Sequence, residues 1–135
     1  MAVAVAINIP TYSNPIQRTV ASGNQISQGT ILKLAEPNTA SASTGTGDIF
    51  GGIAAFEKSI LNGDVSTSIS AWMTGIWDLT VNAGVAITTG NKVTSSGANL
   101  IRVATEAEVN AGQWIGVAEE DGATGEAIRV SLRGY

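Results

Sequence analysis

With 135 residues, a net charge of −4 and only 13% charged residues, the chain is one domain's worth of sequence, long enough to bury a core without staples. It has no cysteine and no histidine, which excludes disulfides, thiolate and imidazole chemistry and most zinc sites. Its seven basic residues are scattered, so no patch for phosphate exists and nucleic acid is not an expected partner.

Residues 2–9 alternate, with Val3, Val5, Ile7 and Ile9 on one side and Ala and Asn on the other, and Pro10 closes the run. Three readings fit: a first strand of the domain's own sheet, an arm that adds to a neighbouring subunit by strand pairing, and a disordered terminus. The opening MAVAVAINIP lacks a basic n-region and is too short to span a bilayer. Neither a signal peptide nor a membrane span is expected, and the absence of cysteine fits a protein made in the cytoplasm. TYSNPIQRTVASGNQ follows as a polar, turn-rich connector, broken at Asn14-Pro15 and Ser22-Gly23-Asn24. Residues 1–25 are therefore read as arm and connector, and 26–135 as a single β-rich domain.

ISQGTILKL, residues 26–34, is a strand entered through a glycine turn. Residues 35–48 are rich in Ser, Thr and Gly without periodicity, and read as a surface loop. Their Gly45-Thr46-Gly47 lacks the spacing of a nucleotide fingerprint.

Residues 48–81 are the expected structural anchor. From residue 66 onward Ile69, Ala71, Met73, Gly75, Trp77, Leu79 and Val81 fall on one face and mostly Ser, Thr and Asp on the other, the period of a long strand with one face buried. Trp72 and Ile76 interrupt the polar face, so part of that face is covered too. Asn62-Gly63 lies between this strand and residues 48–60, and Asn-Gly suits a tight hairpin turn.

Val81-Asn82-Ala83-Gly84 recurs as Val109-Asn110-Ala111-Gly112, with Val20-Ala21-Ser22-Gly23 as a looser relative. Short branched strands follow each corner, around Ile26, Ile87 and Trp114–Val117, and Gly90 and Gly125 open further ones. Close-spaced short strands with glycine corners indicate an all-β sandwich or barrel. Thr105 and Glu108 form a capping-box pattern closed by Gly112, which predicts a helix of one or two turns.

Catalytic chemistry has little to stand on. Glu119, Glu120, Asp121 and Glu126 form a dense carboxylate cluster, but their spacing matches no calcium loop. Glu57 and Asp78 could approach each other across the hairpin, yet nothing sets them apart from surface charges. Without histidine no Ser triad forms, and no Ser-Lys motif surrounds Lys33, Lys58 or Lys92. Neither a catalytic residue, a cofactor nor a metal is expected. Of the tryptophans, Trp77 falls on the core face, Trp72 breaks the polar face and is a candidate contact residue, and Trp114 fits either role.

The order of features in DIFGGIAAFEKSILNGDVSTSISAWMTGIWDLTVNAGVAITTGNKV and VNAGQWIGVAEEDGATGEAIRVSLRG, with the apolar start, resembles capsid decoration (cement) proteins of tailed bacteriophages and related head-tailed viruses. The likeness runs from a "GIA" strand with Glu-Lys through "TSIS" and "GIWDLT" to a final "GVA…GE.IRV.L.G" hairpin, and covers most of the body. It implies a small β-rich domain, often a homotrimer, that binds the major capsid protein outside the lattice at three-fold and quasi-three-fold positions. Some relatives use a terminal arm in that contact.

The expectations are therefore an all-β compact sandwich or barrel of short strands with a long hairpin, one short helix and an extended N-terminal arm. The expected function is a non-enzymatic capsid decoration protein on the outer virion surface, with no nucleic-acid or membrane partner. Val3, Val5, Ile7, Ile9, Tyr12, Trp72 and Trp114 are the expected contacts to capsid or sister protomer. A carbohydrate-binding or head-fibre adhesion module, with Trp72 and Trp114 as a platform, is the alternative. A capsid subunit itself would normally need a larger mixed α/β chain.

Overall fold

The computed structural model describes residues 15–20, 24–45, 48–58, 67–82 and 86–132. These form an all-β fold with one short helix, as the patterning predicts. The strands are β1 (Ile16–Thr19), β2 (Ile31–Glu36), β3 (Thr39–Ala42), β4 (Phe50–Ala54), β5 (Ser68–Trp72), β6 (Ile76–Val81), β7 (Lys92–Ser95), β8 (Leu100–Val103), β9 (Gly116–Ala118) and β10 (Ala127–Leu132). The helix α1 (Glu106–Asn110) lies between β8 and β9.

The strands close into two barrels, ordered β1-β3-β2-β4-β5 and β10-β6-β8-β7-β9. Their connectivity is the same. In the first barrel β1 runs parallel to β3 and antiparallel to β5, while β2 pairs β3 and β4, and β4 pairs β5. In the second β6 runs parallel to β8 and antiparallel to β10, while β7 pairs β8 and β9, and β9 pairs β10.

The correspondence extends to single hydrogen bonds. Gly29 N–H donates to the Ala54 carbonyl and Ala54 N–H to Thr30; Gly90 donates to Ala118 and Ala118 to Asn91 in the same way. Isolated bridges join Ile26 to Lys58 and Ile87 to Gly122. The turns into β3 and β8 each place one asparagine in left-handed backbone, Asn38 at φ 51° and Asn99 at φ 60°. The molecule is thus two copies of one five-stranded unit. Val20 and Val81 occupy matching positions, so the looser repeat starts at the equivalent point of the fold. The letter-for-letter match at 109–112 instead ends α1, because the capping box at Thr105 has already committed that stretch to helix.

Three expectations change. The long strand of residues 66–81 is two strands in two different barrels, β5 and β6. Its alternation continues in phase, with Ile69, Ala71, Leu79 and Val81 all buried, but Gly75 at φ 107° turns the chain out of one sheet into the other. The corner is held by Trp77 Nε1–H to the Thr74 carbonyl at 3.1 Å and Leu132 N–H to the Gly75 carbonyl at 2.9 Å. The hairpin survives as β4 against β5, with Ile53 opposite Trp72 and Ala54 opposite Ala71; its Asn62-Gly63 turn lies outside the described residues. Residues 16–19, read as connector, form β1 and pair with β5 over their full length. The Ser/Thr loop contains β3, whose Thr39-Ala40-Ser41-Ala42 has a single branched side chain, Thr39, among small residues that do not mark a strand.

Each barrel encloses its own small core. Val20, Ile26, Leu32, Ala40, Ala54, Ile69 and Ala71 fill the first. The matching Val81, Ile87, Val93, Ile101, Ala118, Ile128 and Val130 fill the second and belong to a larger cluster. Ile31, Phe50 and Ile53 of the first barrel join that cluster, which therefore spans the two units, while the first barrel's own core stays separate from it.

Candidate protein-contact surface

The corner between the barrels gathers the most distinctive side chains. Trp72 ends β5 and Trp77 lies near the start of β6, and their rings stand 6.5 Å apart, tilted by 47°. Both rings are partly buried against the shared core, and with Thr74, Gly75 and Ile76 they line a shallow depression of about 290 Å³. Ile76 projects from its edge, 59% exposed. Trp77 packs against the core cluster as its phase predicts, though only partly buried. Its strand starts at the barrel's rim, where the inward face opens toward Trp72. Phe56 and Ile49 are the other large apolar side chains on the described surface. An exposed Ile76 beside the tryptophan pair fits contact with protein.

Trp114 lies just before β9, partly buried, with the Lys92 ammonium 4.9 Å above its ring. The cation faces the negative π surface and leaves the ring's apolar area at the boundary with water. Trp72 and Trp114 are thus both partly accessible, each with a different barrel. Val3, Val5, Ile7, Ile9 and Tyr12 lie outside the described residues.

The candidate acids are engaged in turns. Asp121 accepts from Thr89 N–H at 2.7 Å and from the Thr89 hydroxyl at 2.8 Å, and these two bonds hold its carboxyl below the usual aspartate range. Glu120 accepts from Arg129 N–H, and Glu126 from Ala123 N–H. Among the described residues no three acids converge as metal ligands. Glu57 follows β4 in the first barrel, whereas Asp78 sits on β6 in the second opposite Arg129, so they belong to different sheets. Gly45 N–H is taken by Asp48, Lys33 donates to Thr44 at 2.8 Å, and the buried Lys58 donates to the Asn24 carbonyl at 2.9 Å.

Sequence reasoning missed the inter-barrel joint. Ile31 N–H donates to Asn99 Oδ1 at 2.9 Å, the Ser43 hydroxyl to the Gly97 carbonyl at 3.3 Å, and the Ser95 hydroxyl to the Gly45 carbonyl at 2.8 Å. A left-handed asparagine was its only signal, and backbone angles are not legible without the fold. No protein-family model matches this sequence, and comparison with curated proteins returns no relative.

Proposed function

We propose that this protein is a non-enzymatic capsid decoration protein that binds the major capsid protein on the outer virion surface at three-fold and quasi-three-fold positions. The observation that carries the reading is the exposed apolar corner of Trp72, Ile76 and Trp77, set on a charge-poor two-barrel body. Burying such a corner contributes roughly 25 cal/mol per Å² of apolar area, so one copy adds modest stability. Many copies at lattice junctions multiply the effect, because each bound copy restrains neighbouring capsid subunits together. Val3, Val5, Ile7 and Ile9 would add strand pairing to a capsid subunit or a sister protomer, and the functional unit is a homotrimer.

The test is attachment to expanded capsids after deletion of residues 1–10 or substitution of Ile76→Asp. The truncated chain should stay folded and soluble yet fail to sediment with capsids, and Ile76→Asp should weaken attachment at least tenfold. Unchanged attachment by both variants rejects the reading. A carbohydrate-binding module is the second reading, favoured by the depression between Trp72 and Trp77. Quenching of tryptophan fluorescence by oligosaccharides, in a chain that ignores capsids, would select it.

A further inference from the structure

We infer that the chain associates head to tail with copies of itself, the β2–β3 turn at Glu36 and Asn38 of one copy seating on the Lys92–Trp114–Val117 face of the next. The barrels are two copies of one unit, yet within the chain they meet through unlike faces. The first barrel contributes Ile31, Phe50 and Ile53, which are 1%, 3% and 1% exposed. The second contributes the β7–β8 turn, whose Gly97 carbonyl and Asn99 side chain accept from Ser43 and Ile31. A joint between unlike faces of like units leaves one copy of each face outside that joint, and such heterologous contacts repeat into rings or filaments.

Those copies can be named from the register. Ala54 and Ala118 make matching bonds, which aligns Phe50 with Trp114 and Ile53 with Val117. Ser43 N–H donates to the Ile31 carbonyl as Ala104 N–H does to Lys92, which aligns Ile31 with Lys92. Where the first barrel's face is sealed, this one stays partly open, with Trp114 and Val117 half-buried and Lys92 exposed. The turn outside the joint is β2–β3, where Asn38 keeps the left-handed backbone of Asn99 and is exposed as Asn99 is, its Oδ1 accepting from Arg18 at 3.0 Å, and Glu36 stands where Gly97 does. In the interchain joint Glu36 would approach Lys92 and Ala104, so the exchange of Ile31 for Lys92 is matched by a carboxylate on the incoming turn. Trp114 supplies the aromatic anchor. This association needs no capsid, and its failure leaves capsid attachment to be judged separately.

The full chain contains no cysteine, so introduced thiols report one contact each. Glu36→Cys and Ala104→Cys should each stay reduced alone under mild oxidant but form a mixed disulfide dimer when combined, since their counterparts Gly97 and Ser43 touch within the chain. Light scattering should give a mass above one chain for the wild type and the mass of one chain for Val117→Glu with its unfolding transition retained. If Val117→Glu does not fold, the cysteine mixture decides alone. A one-chain mass for the wild type at every concentration, or disulfides between like cysteines only, overturns the inference.

Discussion

Gly116 shows how closely the strands approach where a side chain is missing. A Cβ built there would fall on the carbonyl oxygen of Ser131 in β10. Its counterpart Gly52 is placed likewise, with a built Cβ 2.8 Å from Ala71 Cβ and 3.0 Å from the Trp72 carbonyl. In each barrel the last two strands therefore cross with backbone against backbone, and β10 cannot move away without opening the barrel. Gly116→Ala should destabilise the protein by about 2–4 kcal/mol through overpacking against rigid backbone. Gly45→Ala, where nothing lies within 4 Å, should change stability by less than about 0.5 kcal/mol. Urea denaturation at unchanged slope checks both, and equal midpoints for the two variants would reject the close-approach account. In the sequence Gly116 reads only as a weak spot in a strand, since the carbonyl it must admit belongs to a residue far along the chain.

The helix α1 was legible because its signal is local. Thr105 accepts from Glu108 N–H at 3.2 Å and Glu108 accepts from Thr105 N–H at 2.9 Å, the reciprocal pair that the spacing predicts. Not legible was Arg102 of β8, whose guanidinium grips Glu108 with bonds of 2.8 and 2.6 Å. Those bonds, ahead of the capping contacts from Thr105, lower the Glu108 carboxyl to about 2 from its ordinary 4.5. A depressed carboxylate stabilises the fold fully above its unfolded value and loses that contribution as pH falls from 4.5 toward 2. Glu108→Gln keeps a capping acceptor but removes the charge, so it should cost about 1–2 kcal/mol at pH 7, a bound set by solvent access to the pair. The gap between wild type and Glu108→Gln in thermal melts should close as pH is lowered through that window; a gap independent of pH would assign the effect to packing. The same contrast between local and distant signals explains β3 and Gly75. Period-two alternation ran unbroken from Ile69 to Val81, but which sheet each half joins depends on partners such as β1 and β10 that alternation does not name.

For the whole molecule, the repeat is the fact with the widest consequences. All-β class, short strands and glycine corners were legible; the duplication was visible only as a four-residue echo, because matching positions carry residues as different as Ile31 and Lys92 or Arg18 and Leu79. Equivalent backbones with unlike side chains let one unit present a sealed face and the other an open one. Trp72 and Trp114 illustrate the limit for the contact surface, since alternation marked Trp72 as out of place, left Trp114 open to either role, and gave no location for either. The two barrels share apolar cluster and hydrogen bonds, so they should unfold in one transition. Asn99→Gly removes the acceptor for Ile31 N–H while glycine keeps the left-handed backbone, and it should cost about 1–2 kcal/mol by taking the protein partner from a part-buried donor. Asn38→Gly is the matched control, with the same gain in unfolded-chain freedom but an exposed contact to Arg18 at 3.0 Å in place of the joint. Urea unfolding of the two variants should therefore differ by at least about 1 kcal/mol, with Asn99→Gly the weaker. Equal losses would mean that Asn99 adds nothing to a joint made by the apolar cluster and the two serine bonds. A second transition appearing only in Asn99→Gly would mean that the turn, more than the apolar cluster, makes the two units fold as one.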